Sequence, residues 1–259
     1  MDEKMTRRDV LGKAALLSAG VFFGGLTAKS AKAAQEPLAR QWPWPYEKLD
    51  PAVTAEIAYK QWYELGCGGT VVYSIFEQLA KKVGEPYASF PVESFAIFEG
   101  GMVGWGTICG SVNGASIVAA LIVGPPTWEE ISGIIASNTM DWYSHANMPV
   151  YVPKEPKANK DSIIQTVSDS PLCHVSVGKW MKASGFALGS DERKDRCARV
   201  SASVAYKLVE RLNQWKDEGE DFYEDKAWSG PVKAGITGQY NCANCHGENV
   251  PKPPLLKSK

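Results

Sequence analysis

The chain has 259 residues, 44% of them hydrophobic, enough to bury a substantial core in one large domain or two small ones. Its 28 Lys and Arg nearly balance 29 Asp and Glu, for a net charge of −1. Nothing in that balance suggests nucleic-acid binding.

The first 33 residues read as an export signal. Thr6-Arg7-Arg8-Asp9-Val10-Leu11-Gly12-Lys13 precedes an apolar run, 14–26, and then Ala31-Lys32-Ala33, with cleavage expected after Ala33. This is a twin-arginine (Tat) pattern, and it predicts a periplasmic protein. The apolar run is about 13 residues against the roughly 20 a span requires, so no stable membrane span is expected. Residues 1–33 hold six basic and three acidic side chains, which leaves the mature chain mildly acidic at −4. Tat export carries folded proteins, so a second, cytoplasm-loaded centre is consistent with it.

Three regions follow: the signal, a helical domain over 34–220, and a linker with a C-terminal tail over 221–259. Residues 35–49, rich in Pro and Trp, are expected to lie extended across the domain surface. Asp50-Pro51 reads as an N-cap and first-turn proline opening a helix over 52–65, which Gly66 ends. A second helix is predicted from Cys67 to Val83, closed by Gly84 and Pro86. An aromatic connection, 90–98, leads to a Gly-rich turn, 100–110, and a buried helix whose small residues (Gly114, Ala115) permit close backbone approach. A dinucleotide-binding loop is disfavoured there, because the spacing is wrong and no strand precedes it.

Thr127 and Glu130 form a capping box for a helix running to His145. A long loop over 147–168 precedes a helix from Ser170-Pro171 to Ala183, stopped by Gly185. The last long helix is predicted over 191–217, with Val200, Val204, Leu208 and Leu212 on one face. No strand-like alternation occurs. The fold class is mainly α: an irregular helical domain with a C-terminal haem-bearing tail.

That tail carries Cys242-Ala243-Asn244-Cys245-His246, the C-x-x-C-H signature of a covalently attached c-type haem. Cys242 and Cys245 would bond the haem vinyl groups and His246 would reach the iron. Only 13 residues follow the motif, so upstream protein or another subunit must cover the haem. His174 and His145 are the remaining histidines and the leading candidates for the sixth ligand; Met140, Met148 and an open position are the alternatives.

Cys67, Cys109, Cys173 and Cys197 each fall at or near a predicted helix start, where the dipole favours thiolate. Two disulfides, or four thiolates on an iron–sulfur cluster or zinc, both satisfy the count. Leu65-Gly66-Cys67, Glu99-Gly100-Gly101-Met102, Cys109 through Gly114-Ala115, Ser170-Pro171-Leu172-Cys173-His174-Val175-Ser176 and Arg196-Cys197-Ala198 resemble the C-GCAxxG-C-C redox-active family, and with the haem motif they resemble the split-Soret cytochromes c.

The resemblance implies a helical homodimer with haem near the subunit interface. It also implies a [2Fe–2S] cluster with ligands drawn from Cys67, Cys109, Cys173 and Cys197. Two features depart from the pattern. Split-Soret cytochromes carry two haems per subunit and this chain has one C-x-x-C-H; and Cys109 is followed by Gly110-Ser111-Val112 rather than Gly-Cys-Ala.

The leading functional expectation is an electron carrier that passes electrons between cluster and haem, with redox partner proteins docking at the haem edge. The alternative is a haem-dependent small-molecule reductase or peroxidase with an open axial site. No residue constellation nominates a catalytic base.

Overall fold

The computed structural model describes residues 41–124 and 131–222. The export signal, the Thr127/Glu130 capping box and the haem motif lie outside the described residues.

Five α-helices are described: α1 (Pro51–Val83), α2 (Gly110–Val123), α3 (Ile131–His145), α4 (Cys173–Ser184) and α5 (Asp191–Glu218). A 3-10 helix, Val92–Phe98, links α1 to the Gly-rich turn. Among the described residues β pairing is limited to two isolated bridges, Ile108 with Leu172 and Met148 with Thr166. The expectation of a mainly α fold therefore holds.

Local chemistry sets the helix ends. Asp50 Oδ1 accepts from the N–H groups of Ala52 and Val53 at 2.8 and 3.2 Å, and Pro51 occupies the first turn, where its missing N–H costs nothing. Ser190 caps α5 by accepting from Arg193 N, and Gly185 ends α4 in the left-handed region. Helix α4 starts at Cys173, two to three residues later than the sequence suggests.

α1 is in effect two helices. Gly66 breaks it with φ 62° and ψ −166°, a combination that glycine alone adopts cheaply. The chain restarts at Cys67, as the punctuation predicts. The second half is buried along much of its surface, through Val71, Val72, Ile75, Phe76 and Leu79. It packs chiefly on α5, whose stripe Val200, Val204, Leu208 and Leu212 is fully or almost fully buried. α2 crosses close by: a Cβ on Gly114 would stand 2.7 Å from the Gly68 carbonyl oxygen, so the two backbones meet with no side chain between them.

The Trp–Pro lead sharpens an expectation. Residues 44–49 do run along the surface, with Pro45, Glu47 and Lys48 exposed, but their other side chains turn inward. Trp44, Tyr46 and Leu49 are core residues, and Trp44 packs edge-on against Tyr87 and Phe90. The segment is anchored by Trp44 N–H to Ile122 O at 2.7 Å and by Tyr87 O–H to Pro45 O at 2.8 Å. Aromatic area of this size is worth more buried than exposed, and the cleft beside α1 and α2 receives it.

Candidate metal centre

Backbone pairing brings the cysteines together. Cys109 N–H donates to Pro171 O at 2.8 Å and Cys173 N–H to Thr107 O at 2.7 Å. This short antiparallel contact sets the start of α2 beside the start of α4. Cys67, at the restart of α1, reaches the same place: a Cβ on Gly110, next to Cys109, would lie 3.0 Å from Cys67 Cβ. Cys197 comes from α5, the helix packed along α1. All four are buried free thiols, so the disulfide alternative does not describe this arrangement.

Cys67, Cys173 and Cys197 line a cavity of about 590 Å³, together with Trp62, His174 and Arg193. Cys109 is set back from it, its Sγ 3.1 Å from Ser111 Oγ. Trp62 Nε1–H donates to Cys67 Sγ at 3.3 Å.

Cys67 and Cys173 are not the helix-activated thiolates the sequence suggests. Burial, reinforced by the charges of Cys109 and Cys197, pushes the Cys67 thiol up to about 12, against the opposing Trp62 and Gly100 N–H groups. Cys173 moves the same way, through burial and then Cys109, Cys67 and Cys197, with Arg196 opposing. Desolvation and mutual repulsion outweigh the dipole. Cys197 also lies in the second turn of α5, beyond the short reach of that dipole. Without metal, Cys67 and Cys173 are held as neutral thiols, and a metal would displace their protons.

Four cysteines are a suitable donor set for iron–sulfur or zinc. Among the described residues no three His, Cys, Asp or Glu side chains gather tightly enough to hold one ion.

The two candidate histidines part company. His174, the second residue of α4, lines the cavity, and its Nδ1 donates to Gly106 O at 3.0 Å. A ring held by Nδ1 in this way could offer Nε2 to a metal. His145 ends α3 and does not line the cavity. Its Nδ1 is 3.0 Å from Asp141 O and 3.2 Å from Asp141 Oδ1, the role of a basic residue at a helix C-terminus. Met148 is buried in the core and Met140 packs partly against it. Cys242, Cys245 and His246 lie outside the described residues.

A family described as "Putative redox-active protein (C_GCAxxG_C_C)" matches residues 67–211, a span that begins at the first of the four cysteines and includes the others. The chain belongs to this family. It is 32% identical over 252 residues to split-Soret cytochrome c of Desulfovibrio desulfuricans, covering 93% of this chain and 86% of that protein. A solved structure described as "a novel iron centre in the split-Soret cytochrome c" from the same species superposes with a TM-score of 0.67 at 31% identity, covering 81% of this chain and 86% of the other. Membership carries a redox role, consistent with three thiols around one cavity and a fourth set back from it.

Sequence reasoning did not find Trp62, Tyr143 or Arg196 at this site. For Arg196 a signal existed: it lies one turn before Val200, on the stripe that becomes the buried face of α5.

Proposed function

We propose that this is a periplasmic electron-transfer protein, exported by the Tat pathway, in which Cys67, Cys109, Cys173 and Cys197 bind a [2Fe–2S] cluster. Cys242 and Cys245 tether one haem c, with His246 as its proximal ligand and His174 as its sixth. The observation that carries the reading is the gathering of four buried free thiols, of which Cys67, Cys173 and Cys197 line one cavity while Cys109 is set back from it. The redox-active family and the cytochrome relative support it.

A cluster and a haem would supply one-electron chemistry. The chain's own part is to exclude water around Cys109, to donate Trp62 Nε1–H to Cys67, and to hold His174 in one tautomer beside Cys173. The cavity leaves three of the cysteines reachable from solvent, which gives electrons a short path to the surface. Redox partner proteins dock there or at the haem edge, and the working unit is a homodimer, whose second subunit helps to cover the haem.

The test is metal and sulfide analysis, with visible and EPR spectra, of the full-length chain exported by its own signal. Haem, non-haem iron and acid-labile sulfide are expected at about 1:2:2. Replacing Cys67 or Cys173 by Ser should remove the labile sulfide and leave the haem. Replacing Cys242 and Cys245 by Ala should do the reverse. Iron confined to haem, with no labile sulfide in protein purified without air, would sink the cluster.

A further inference from the structure

Arg196 is only 1% exposed, yet it forms no salt bridge among the described residues. Its neighbour Asp195 is already engaged: Arg199 Nε lies 2.9 Å from Asp195 Oδ2, and Tyr59 O–H and Asn159 also donate to that carboxylate. The Arg196 guanidinium instead donates from Nη2 to Ser176 Oγ at 2.8 Å, with Nη1 4.0 Å from Cys197 Sγ. Its Nε has no hydrogen-bond partner. Tyr143 O–H, also buried, lies next to Cys109, Ser176 and Arg196.

A guanidinium cannot escape burial by losing its proton. An uncompensated charge in the interior is costly, so this one calls for an anion. Beside it lies the Cys197 sulfur, and its remaining hydrogen-bond contacts are to Ser176. The Nη1 faces the sulfur of Cys197, the next residue, and Arg196 does not line the cavity onto which Cys67, Cys173 and Cys197 open. Cys173 feels the same guanidinium. The cation therefore sits at the closed, protein side of the four-cysteine group, where Cys109 is, and not at the cavity mouth.

We infer that Arg196, with the Tyr143 hydroxyl beside it, is the fixed counter-charge of the four-cysteine centre and raises its reduction potential. This rests on the reading of the four cysteines as cluster ligands. One-electron reduction adds a negative charge to a centre that four thiolates already make anionic. The electron comes from a ferrous haem, which becomes ferric, or from dithionite in the laboratory. A buried cation stabilises the more negative form more strongly, and hydrogen bonds to the sulfurs act in the same direction. Arg196 is a positioning residue: it acts through the cysteines and binds no metal itself.

The experiment is a spectroelectrochemical titration of the full-length protein, followed by the EPR signal of the reduced centre. In Arg196→Met the equilibrium should shift at least tenfold toward the oxidised form, a fall of about 59 mV. Arg196→Lys should recover most of the potential, and Tyr143→Phe should lower it by less than Arg196→Met does. An unchanged potential in a fully loaded Arg196→Met protein would overturn the inference and leave the cluster reading intact. Loss of the cluster in Arg196→Met, with retention in Arg196→Lys, would show that the charge is needed and support it. Loss in both, with native helix content and a loaded parent, would mean that side-chain shape matters and not charge, and would overturn it. Should Arg196→Met fail to fold, Tyr143→Phe decides, and an unchanged potential there counts against the inference. A parent protein without labile sulfide removes the cluster reading itself, and this inference falls with it.

Discussion

Trp62 and Cys67 meet across a broken helix. The Trp62 indole N–H donates to Cys67 Sγ at 3.3 Å, and the left-handed Gly66 between them makes the approach possible. Five residues apart on an unbroken helix, the two side chains would not face each other. The break thus does two things: it places Cys67 at the start of a new helical segment, and it aims a buried donor at the sulfur. Trp62→Phe keeps the ring and removes the donor. The expected outcome is a folded protein whose centre has a lower reduction potential, checked by the same redox titration; an unchanged value would mean that the bond does not act on the sulfur.

The Gly68–Gly114 contact predicts a stability effect. A methyl group at 114 would enter backbone, not a yielding side chain, since Gly68 O is 2.7 Å away and Gly68 Cα 3.2 Å. Gly114→Ala gains helix propensity, but overpacking dominates. A net loss of about 1–3 kcal/mol is expected, measured by urea denaturation. Because α1 and α2 carry Cys67 and Cys109, metal loading should fall with it.

The Asp195 pair is a separate structural lock. Asp195 is buried with Arg199, Tyr59 and Asn159 around it, and Arg199 also donates to the Ala158 and Asn159 carbonyls at 3.1 and 3.0 Å. Asp195→Asn leaves that guanidinium without its anion. The expected cost is about 3–5 kcal/mol, read as a lower midpoint in urea. Arg199→Lys should cost less, because it keeps the charge.

Metal-free protein should lose stability in alkali. Cys67 is held up to about 12 in the fold, above the ordinary thiol range, by burial and neighbouring thiols. The unfolded chain therefore releases its proton first as pH rises. The stabilisation is complete below the unfolded thiol value, near 8.5, and is lost as pH climbs from there toward 12. Thermal melts of metal-free protein at pH 7, 9 and 10 should show a falling midpoint. The metal-loaded protein should respond oppositely to acid, because protons compete for the sulfurs. A flat profile above pH 9 would contradict the burial of Cys67.

The histidines give a spectroscopic prediction. His174→Ala should convert a low-spin haem to high-spin or weakly ligated iron, while His145→Ala should leave the visible spectrum unchanged and disturb only the end of α3. The opposite pattern would reassign the sixth ligand.

Helix ends were legible because they depend on a few adjacent atoms. Asp50-Pro51, Gly66, Gly84 and Gly185 cap or break the backbone where sequence reasoning puts them, since caps and left-handed glycines act within one turn. Two readings fell short for a shared reason. The burial of Trp44 and Tyr46 was not foreseen, and Cys67 and Cys173 were read as dipole-activated; in both cases the environment comes from residues far along the chain.

By itself, then, the sequence determined the helical punctuation, the buried stripe of α5 and the four cysteine positions. Only the tertiary structure decided that Cys67, Cys173 and Cys197 share one cavity with Cys109 set back from it, that burial holds Cys67 and Cys173 protonated, and that Arg196 stands beside Cys197 without a carboxylate. Capping is a local interaction. Desolvation and charge pairing are sums over neighbours that adjoin only after the chain has folded.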